Sequence, residues 1–305
     1  NPGIYEIKLA IPEFSPFSVQ GFNDTICTNN SDSKRTHFIN GMNNGNPKPG
    51  LEGFVKNGSA TTTVYIKSDI CTGSYSLGPV DNFSIPGAPY YICNETQFGT
   101  INTDSGTLSQ DYVLANNIDF NNDADNKIDG PFEGTLDGMG YSLLNFKQNI
   151  NSGQAGLFSI VQANSKIKDI VIENFESTTL SGAITQIHGL FITQVNTGSA
   201  TKVELENIKI INSWLRTEKN RNGLLVGQVN NNASGSIEFT DIEIQNSQLN
   251  PQIDGIEKVG LVAGYILNSN TSEDAHLNNI NIINSKILYE VSSDGGKFVG
   301  GVVGQ

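Results

Sequence analysis

Two kinds of hydrophobic segment recur along the second half of the chain. One follows an Ile-x-Ile-x-Asn pattern: Ile170-Val171-Ile172-Glu173-Asn174, Ile208-Lys209-Ile210-Ile211-Asn212, Ile242-Glu243-Ile244-Gln245-Asn246 and Ile280-Asn281-Ile282-Ile283-Asn284. The other is a glycine followed by aliphatic residues: Gly156-Leu157-Phe158, Gly189-Leu190-Phe191, Gly223-Leu224-Leu225, Gly260-Leu261-Val262 and Gly300-Gly301-Val302. The first recurs at 38, 34 and 38 residues, the second at 33, 34, 37 and 40.

Alternation with period two is a strand signal, and a strand that returns at this interval describes one turn of a coil. Stacked coils place each strand about 4.8 Å above its predecessor in a parallel sheet. The fold expected is therefore all-β, a right-handed parallel β-helix over residues 89–305. The two isoleucines of each repeat share a face with the asparagine, which predicts aliphatic stacks inside and an internal ladder at Asn174, Asn212, Asn246 and Asn284. An asparagine amide both donates and accepts, so such a ladder satisfies itself. The alternative is that these asparagines turn a corner in the left-handed backbone conformation. Asp169, Asn207, Asp241 and Asn279 precede the strands on the outside, where interleaved Asn keeps like charges apart. The repeat glycines mark places where coils crowd or the backbone bends. A helical solenoid would space its apolar residues by three and four. A β-propeller needs four strands per repeat, against the two or three visible here.

Gly223-Leu224-Leu225-Val226-Gly227-Gln228-Val229 and Gly300-Gly301-Val302-Val303-Gly304-Gln305 resemble the GLUG motif of bacterial surface and secreted proteins, with Gly260-Leu261-Val262-Ala263-Gly264-Tyr265 a near variant. Phe132-Glu133-Gly134-Thr135-Leu136-Asp137-Gly138-Met139-Gly140-Tyr141 is similar to the segment that commonly precedes such repeats. The first two repeats, with Phe158-Ser159 and Phe191-Ile192-Thr193, lack the second glycine. The resemblance covers about residues 89–305 and implies a parallel β-helix in an adhesin-like exported protein, without implying a chemistry.

Residues 1–88 read differently. Short alternating stretches such as Tyr5-Glu6-Ile7-Lys8-Leu9 and Thr62-Thr63-Val64-Tyr65-Ile66, separated by turn-rich segments, suggest a small β-sandwich-like domain. Cys27 and Cys71 flank an Asn/Gly/Pro-rich loop and form the expected disulfide, leaving Cys93 free; Cys71–Cys93 is the competing pairing, and three reduced thiols the other. After Ile85-Pro86-Gly87-Ala88-Pro89, a strand at Tyr90-Tyr91-Ile92-Cys93 and a short helix capped by Asn94 are expected to cover the end of the coil stack. The last repeat breaks off within a strand, as a fragment of a longer chain would.

Composition narrows the role. With 18 Lys+Arg against 31 Asp+Glu and a net charge of −13, the chain is unsuited to nucleic acid or to an anionic membrane. No apolar run is long enough to span a membrane. A polar but weakly charged surface suits an extracellular or cell-surface protein.

Candidate chemistry is sparse. Asp119, Asn121, Asp123 and Asp125 place oxygen ligands at alternate positions, a spacing that suits calcium, although Ala124 stands where a calcium loop has glycine. Polysaccharide hydrolysis needs two carboxylates about 5 to 9.5 Å apart. Stacking suggests Glu173 with Glu243, or Asp169 with Asp241, each pair separated by an intervening coil. His37, His188 and His276 share no ligand spacing. Trp214 beside Arg216 offers an indole on which a sugar could stack. Ile211 and Ile283 recur outside and suggest a packed lateral face, for a homo-oligomer or for a covering loop. The leading expectation is an exported adhesin or fibre segment that meets a glycan or cell-surface protein through its N-terminal domain or loops. The alternative is a polysaccharide-degrading enzyme, and a calcium-stabilised spacer is the third reading.

Overall fold

The computed structural model describes residues 89–305, except 103–104, 151–154, 180–186, 199–200, 219, 232–234, 253–256, 269–274, 289–296 and 305, and before residue 89 only the antiparallel pair Met42–Asn43 and Asn46–Pro47. The chain forms two compact units, Asn1–Gly73 and Ser74–Gln305. The expected sandwich, Cys27, Cys71 and His37 lie outside the described residues.

The second unit is a parallel β-helix. Each full coil runs through four strands, and each strand hydrogen-bonds in parallel to its counterparts in neighbouring coils. Sheet I holds Ile128–Phe132, Phe158–Gln162, Ile192–Thr197, Val226–Asn231 and Ala263–Asn268. Sheet II holds the longest strands, Lys166–Glu173, Lys202–Ile211, Ser236–Gln245 and Ala275–Ile283, below which Thr135–Asp137, Ser142–Leu144 and earlier strands continue it. Sheet III holds Lys147–Ile150, Glu176–Thr179, Trp214–Thr217, Gln248–Pro251 and Lys286–Ile287. Sheet IV holds Ile187–Gly189, Arg221–Gly223, Glu257–Gly260 and Lys297–Gly300. Four strands per repeat correct the count of two or three. What separates this fold from a propeller is that pairing runs between repeats, not within them.

Inside the coils the isoleucines stack as the pattern requires. Ile170, Ile208, Ile242 and Ile280 share one register, Ile172, Ile210, Ile244 and Ile282 the next. Towards the N-terminal end the filling turns aromatic: Phe120 lies edge-on to Phe98, Phe146 and Phe175, with ring centroids 5.4, 5.5 and 6.1 Å away. Edge-to-face contacts of this kind add to the area the rings bury. Phe98 comes from the helix Glu95–Gly99, whose cap Asn94 accepts a hydrogen bond from the Gln97 N–H at 2.9 Å. That helix drives Phe98, fully buried, into the first coil, as an end cap should.

The asparagine ladder is not internal. Asn174, Asn212, Asn246 and Asn284 have φ of 58, 50, 50 and 47° and all are exposed. A left-handed residue breaks the in-out alternation, so the next inward position falls one residue later, at Phe175, Ser213, Ser247 and Ser285. Those serines supply the polar ladder instead. The Phe175 N–H donates to Ser213 Oγ at 3.1 Å, Ser213 N–H to Ser247 Oγ at 3.1 Å, and Ser247 N–H to Ser285 Oγ at 3.0 Å. A second left-handed corner bends sheet II at Asp169, Asn207, Asp241 and Asn279. There Asn207 donates to Asp169 at 2.6 Å and Asn279 to Asp241 at 2.5 Å, so the interleaving seen in sequence is a hydrogen-bonded ladder.

The two glycines of the repeat are required by sheet IV. A Cβ on Gly227 would stand 2.8 Å from Gly189 N and His188 C, and one on Gly304 would stand 2.8 Å from Lys258 C. The second glycine of each repeat thus lets a sheet IV strand of the preceding coil lie against sheet I. In register with Gly227 the earlier coils carry Ser159 and Thr193, and the first described strand of sheet IV begins only at Ile187. These two repeats lack the glycine where no described sheet IV strand presses on it.

Candidate functional site

The outward face of sheet III carries the one tryptophan. Trp214 stands in register with Glu176 below and Gln248 above, and Arg216 with Thr178 and Asn250. Being two residues apart on one strand, Trp214 and Arg216 project from the same face. The indole is half-buried, Arg216 is exposed, and the Arg216 guanidinium donates to Gln252 Oε1 at 3.3 Å. Lys147 and Glu176 close the lower end of this column with an ion pair of 2.9 Å. The result is a flat patch of an aromatic surface, a cation and several amides at fixed coil spacing.

Around the corner, sheets I and IV present a second group. Arg221 and Lys258 occupy adjacent rungs of sheet IV. Lys258 Nζ lies 3.4 Å from the centroid of the Tyr265 ring and Arg221 Cζ 5.3 Å from it. The Arg221 guanidinium also donates to Gln228 Oε1, and Gln228 Nε2 to Asn230 Oδ1. Asn230 Nδ2 donates to Asn196 Oδ1 at 2.9 Å, and Gln194 Nε2 to the same oxygen at 2.6 Å. Sequence reasoning missed this group, although Arg221 and Lys258 each stand two residues before a repeat glycine, Gly223 and Gly260.

The carboxylates of the acidic loop accept local hydrogen bonds. Asp119 Oδ1 accepts from Asn121 N–H at 2.9 Å and from Asn145 Nδ2 at 3.0 Å, which makes it the foot of the asparagine corner: Asn174 Nδ2 in turn donates to Asn145 Oδ1 at 3.3 Å. Asp123 Oδ1 accepts from the Ala124 and Asp125 N–H groups, and Asp125 is exposed. Asn121 and Asn122 are left-handed turn residues, with φ of 51 and 65°. Among the described residues no group of three or more His, Cys, Asp or Glu is arranged to hold a metal ion.

The carboxylate pairs also differ from expectation. Glu243 is in register with Lys209 and Val171, Glu173 with Ile211, so Glu173 and Glu243 stand in different columns. Glu243 is ion-paired with Lys209 at 2.6 Å. Asp169 and Asp241 do share a column, two coils apart, with Asn207 between them. The closer pair is one that the sequence reading overlooked: Glu204 and Glu238 on adjacent rungs of sheet II, about 4.8 Å apart along the stack. Lys202 Nζ bridges them at 2.8 and 2.9 Å. Its hydrogen bond to Glu204 outweighs partial burial and holds that carboxyl below the usual range.

His188 is fully buried, its Nε2 2.7 Å from Ser177 Oγ inside the coil. His276 is exposed on sheet II, in register with Glu238. Cys93 is disulfide-bonded and so is not the free thiol. Ile211 and Ile283 share an outward column, but Gln245 stands between them, which interrupts the expected apolar face. No described helix is long and apolar enough to cross a membrane.

Fold and surface together define a parallel β-helix protein with polar, amide-rich outer faces. The chain matches no family model, no curated protein and no solved structure.

Proposed function

We propose that the chain is a segment of an exported bacterial surface protein, an adhesin or fibre, in which the β-helix is a rigid stalk that meets a glycan or cell-surface partner. The observation that carries this reading is the Trp214 patch. An indole face in register with Glu176 and Gln248, two residues from Arg216 with its Asn250 and Thr178 neighbours, suits a saccharide. The ring stacks on the apolar face of a sugar while amides and guanidinium take its hydroxyls. The parallel register running from coil to coil supports the stalk, since each strand inside the stack is held by neighbours above and below. The likeness of Gly223–Gly227 and Gly260–Gly264 to the GLUG motif supports export and a place on the cell surface.

The test is a panel of bacterial and host polysaccharides, scored for retention and for new reducing or unsaturated ends. Retention without new ends is expected, and Trp214→Ala should weaken it by about tenfold, given the stacking and desolvation an indole supplies. New ends would replace this reading with a polysaccharide-degrading enzyme.

A further inference from the structure

Arg221 and Lys258 form a pair of like charges that no described carboxylate offsets. They are in register on adjacent strands, so their stems leave the backbone about 4.8 Å apart. Like charges directly opposite one another destabilise a sheet. Elsewhere the described lysines avoid this. Lys147, Lys166, Lys168, Lys202 and Lys209 each reach a carboxylate on their own or a neighbouring coil. In a chain of net charge −13, no described carboxylate pairs with Arg221 or Lys258. Both lean instead on the Tyr265 ring, whose face attracts cations and fixes where the two charges sit.

Beside them runs a row of linked amides. Arg221 donates to Gln228, Gln228 to Asn230, and Asn230 and Gln194 to Asn196. Amides spaced by the coil repeat can both donate to and accept from hydroxyl groups. A guanidinium next to an ammonium presents several N–H donors to a planar anion.

We propose that Arg221 and Lys258, held by Tyr265 and by the buried Gln228, bind the carboxylate of an acidic saccharide, with Asn230 and Asn196 taking the hydroxyls of adjoining sugar units. This rests on the glycan-binding reading and adds the charge of the ligand and the face that meets it. A polymer of uronic acids fits better than a single sugar, because cations and amides lie along one surface.

The probe is oligogalacturonate, compared with its methyl ester, which has the same backbone without the charge. Binding of both to the full chain is measured by calorimetry, alongside the polysaccharide panel. The acid form should bind about tenfold or more tightly than the ester, as loss of charge-assisted hydrogen bonds implies. Arg221→Gln/Lys258→Gln should remove that difference, whereas Arg221→Lys/Lys258→Arg should keep most of it. An unchanged melting temperature will show that the variants fold. If acid and ester bind alike, or the glutamine variant binds the acid as the parent does, this proposal falls while glycan binding stands. If dextran sulfate, which lacks carboxylates, binds at this pair as tightly as the uronate, the carboxylate assignment falls. If the chain retains no saccharide of any kind, both readings fall together.

Discussion

At Asn174, Asn212, Asn246 and Asn284 one dihedral angle decides which side chains enter the core. Read as a plain strand, the pattern sends the asparagine inwards with the isoleucines. With φ near 50° the asparagine stays outside and the following residue turns inwards, Phe175 in the first repeat and a serine in the others. Asparagine is among the few residues that visit this conformation readily, which is why the repeat keeps it. Asn212→Gly should therefore leave stability almost unchanged, while Asn212→Val should lose about 1 to 2 kcal/mol by urea denaturation. Ser247 is the harder test. Its hydroxyl accepts from Ser213 N–H and donates to the Gln245 carbonyl at 2.9 Å, in a site nearly closed to water. Ser247→Ala leaves the Ser213 N–H without that acceptor and should cost about 1 to 3 kcal/mol.

At the scale of the element, sheets II and IV differ in how far sequence exposes them. Sheet II was legible because its strands are long and alternate, as in Ile242-Glu243-Ile244. Sheet IV was not, because Arg221-Asn222-Gly223 is three residues long, buries a polar Asn222 and ends in glycine. The Arg221–Lys258 pair was hidden for the same reason: register between short strands is set by loops of unequal length. The glycines do carry a checkable consequence. Gly227→Ala drives a methyl group into the Gly189 backbone and should cost about 1 to 3 kcal/mol. Gly301→Ala, with nothing within 4 Å of the new methyl, should be close to neutral.

Sheet II also sets a pH dependence. Partial burial opposes ionisation of Asp169, but hydrogen bonds from Asn207 and Lys168 and the charges of Lys168 and Lys166 outweigh it and hold the carboxyl below its ordinary value of 3.8. The hydrogen bond from Lys202 lowers Glu204 from its ordinary 4.5. Both groups bind protons more weakly in the folded state, so their contribution is complete above those values and is lost as the pH falls through and below them. Urea midpoints taken from pH 6 down to pH 3 should therefore fall. The fall should be smaller in Lys202→Met, which removes the cation that lowers Glu204.

For the whole molecule, what the sequence made visible was the scaffold. Periodicity alone fixes a coil and its isoleucine stacks, and a capping residue, Asn94, marks the helix that carries Phe98 into the N-terminal end. The outer faces were only partly visible. Trp214 was conspicuous as the one indole, yet its neighbours Gln248 and Asn250 lie a full coil away along the chain. Expectations built on spacing alone, such as Glu173 with Glu243, failed because a two-residue offset moves a side chain to the next column. The patches at Trp214 and at Arg221 and Lys258 belong to different sheets, so Trp214→Ala and Arg221→Gln/Lys258→Gln should weaken binding independently when combined.

The ladder at Asp169, Asn207, Asp241 and Asn279 limits how such a protein can lengthen. Its rungs alternate, so the pattern repeats only after two coils. Duplicating one coil would set aspartate on aspartate or asparagine on asparagine somewhere in the column; duplicating a pair would leave every carboxylate facing an amide. The unit of growth that this corner favours is two turns, about 72 residues as the Asp169 to Asp241 interval measures it.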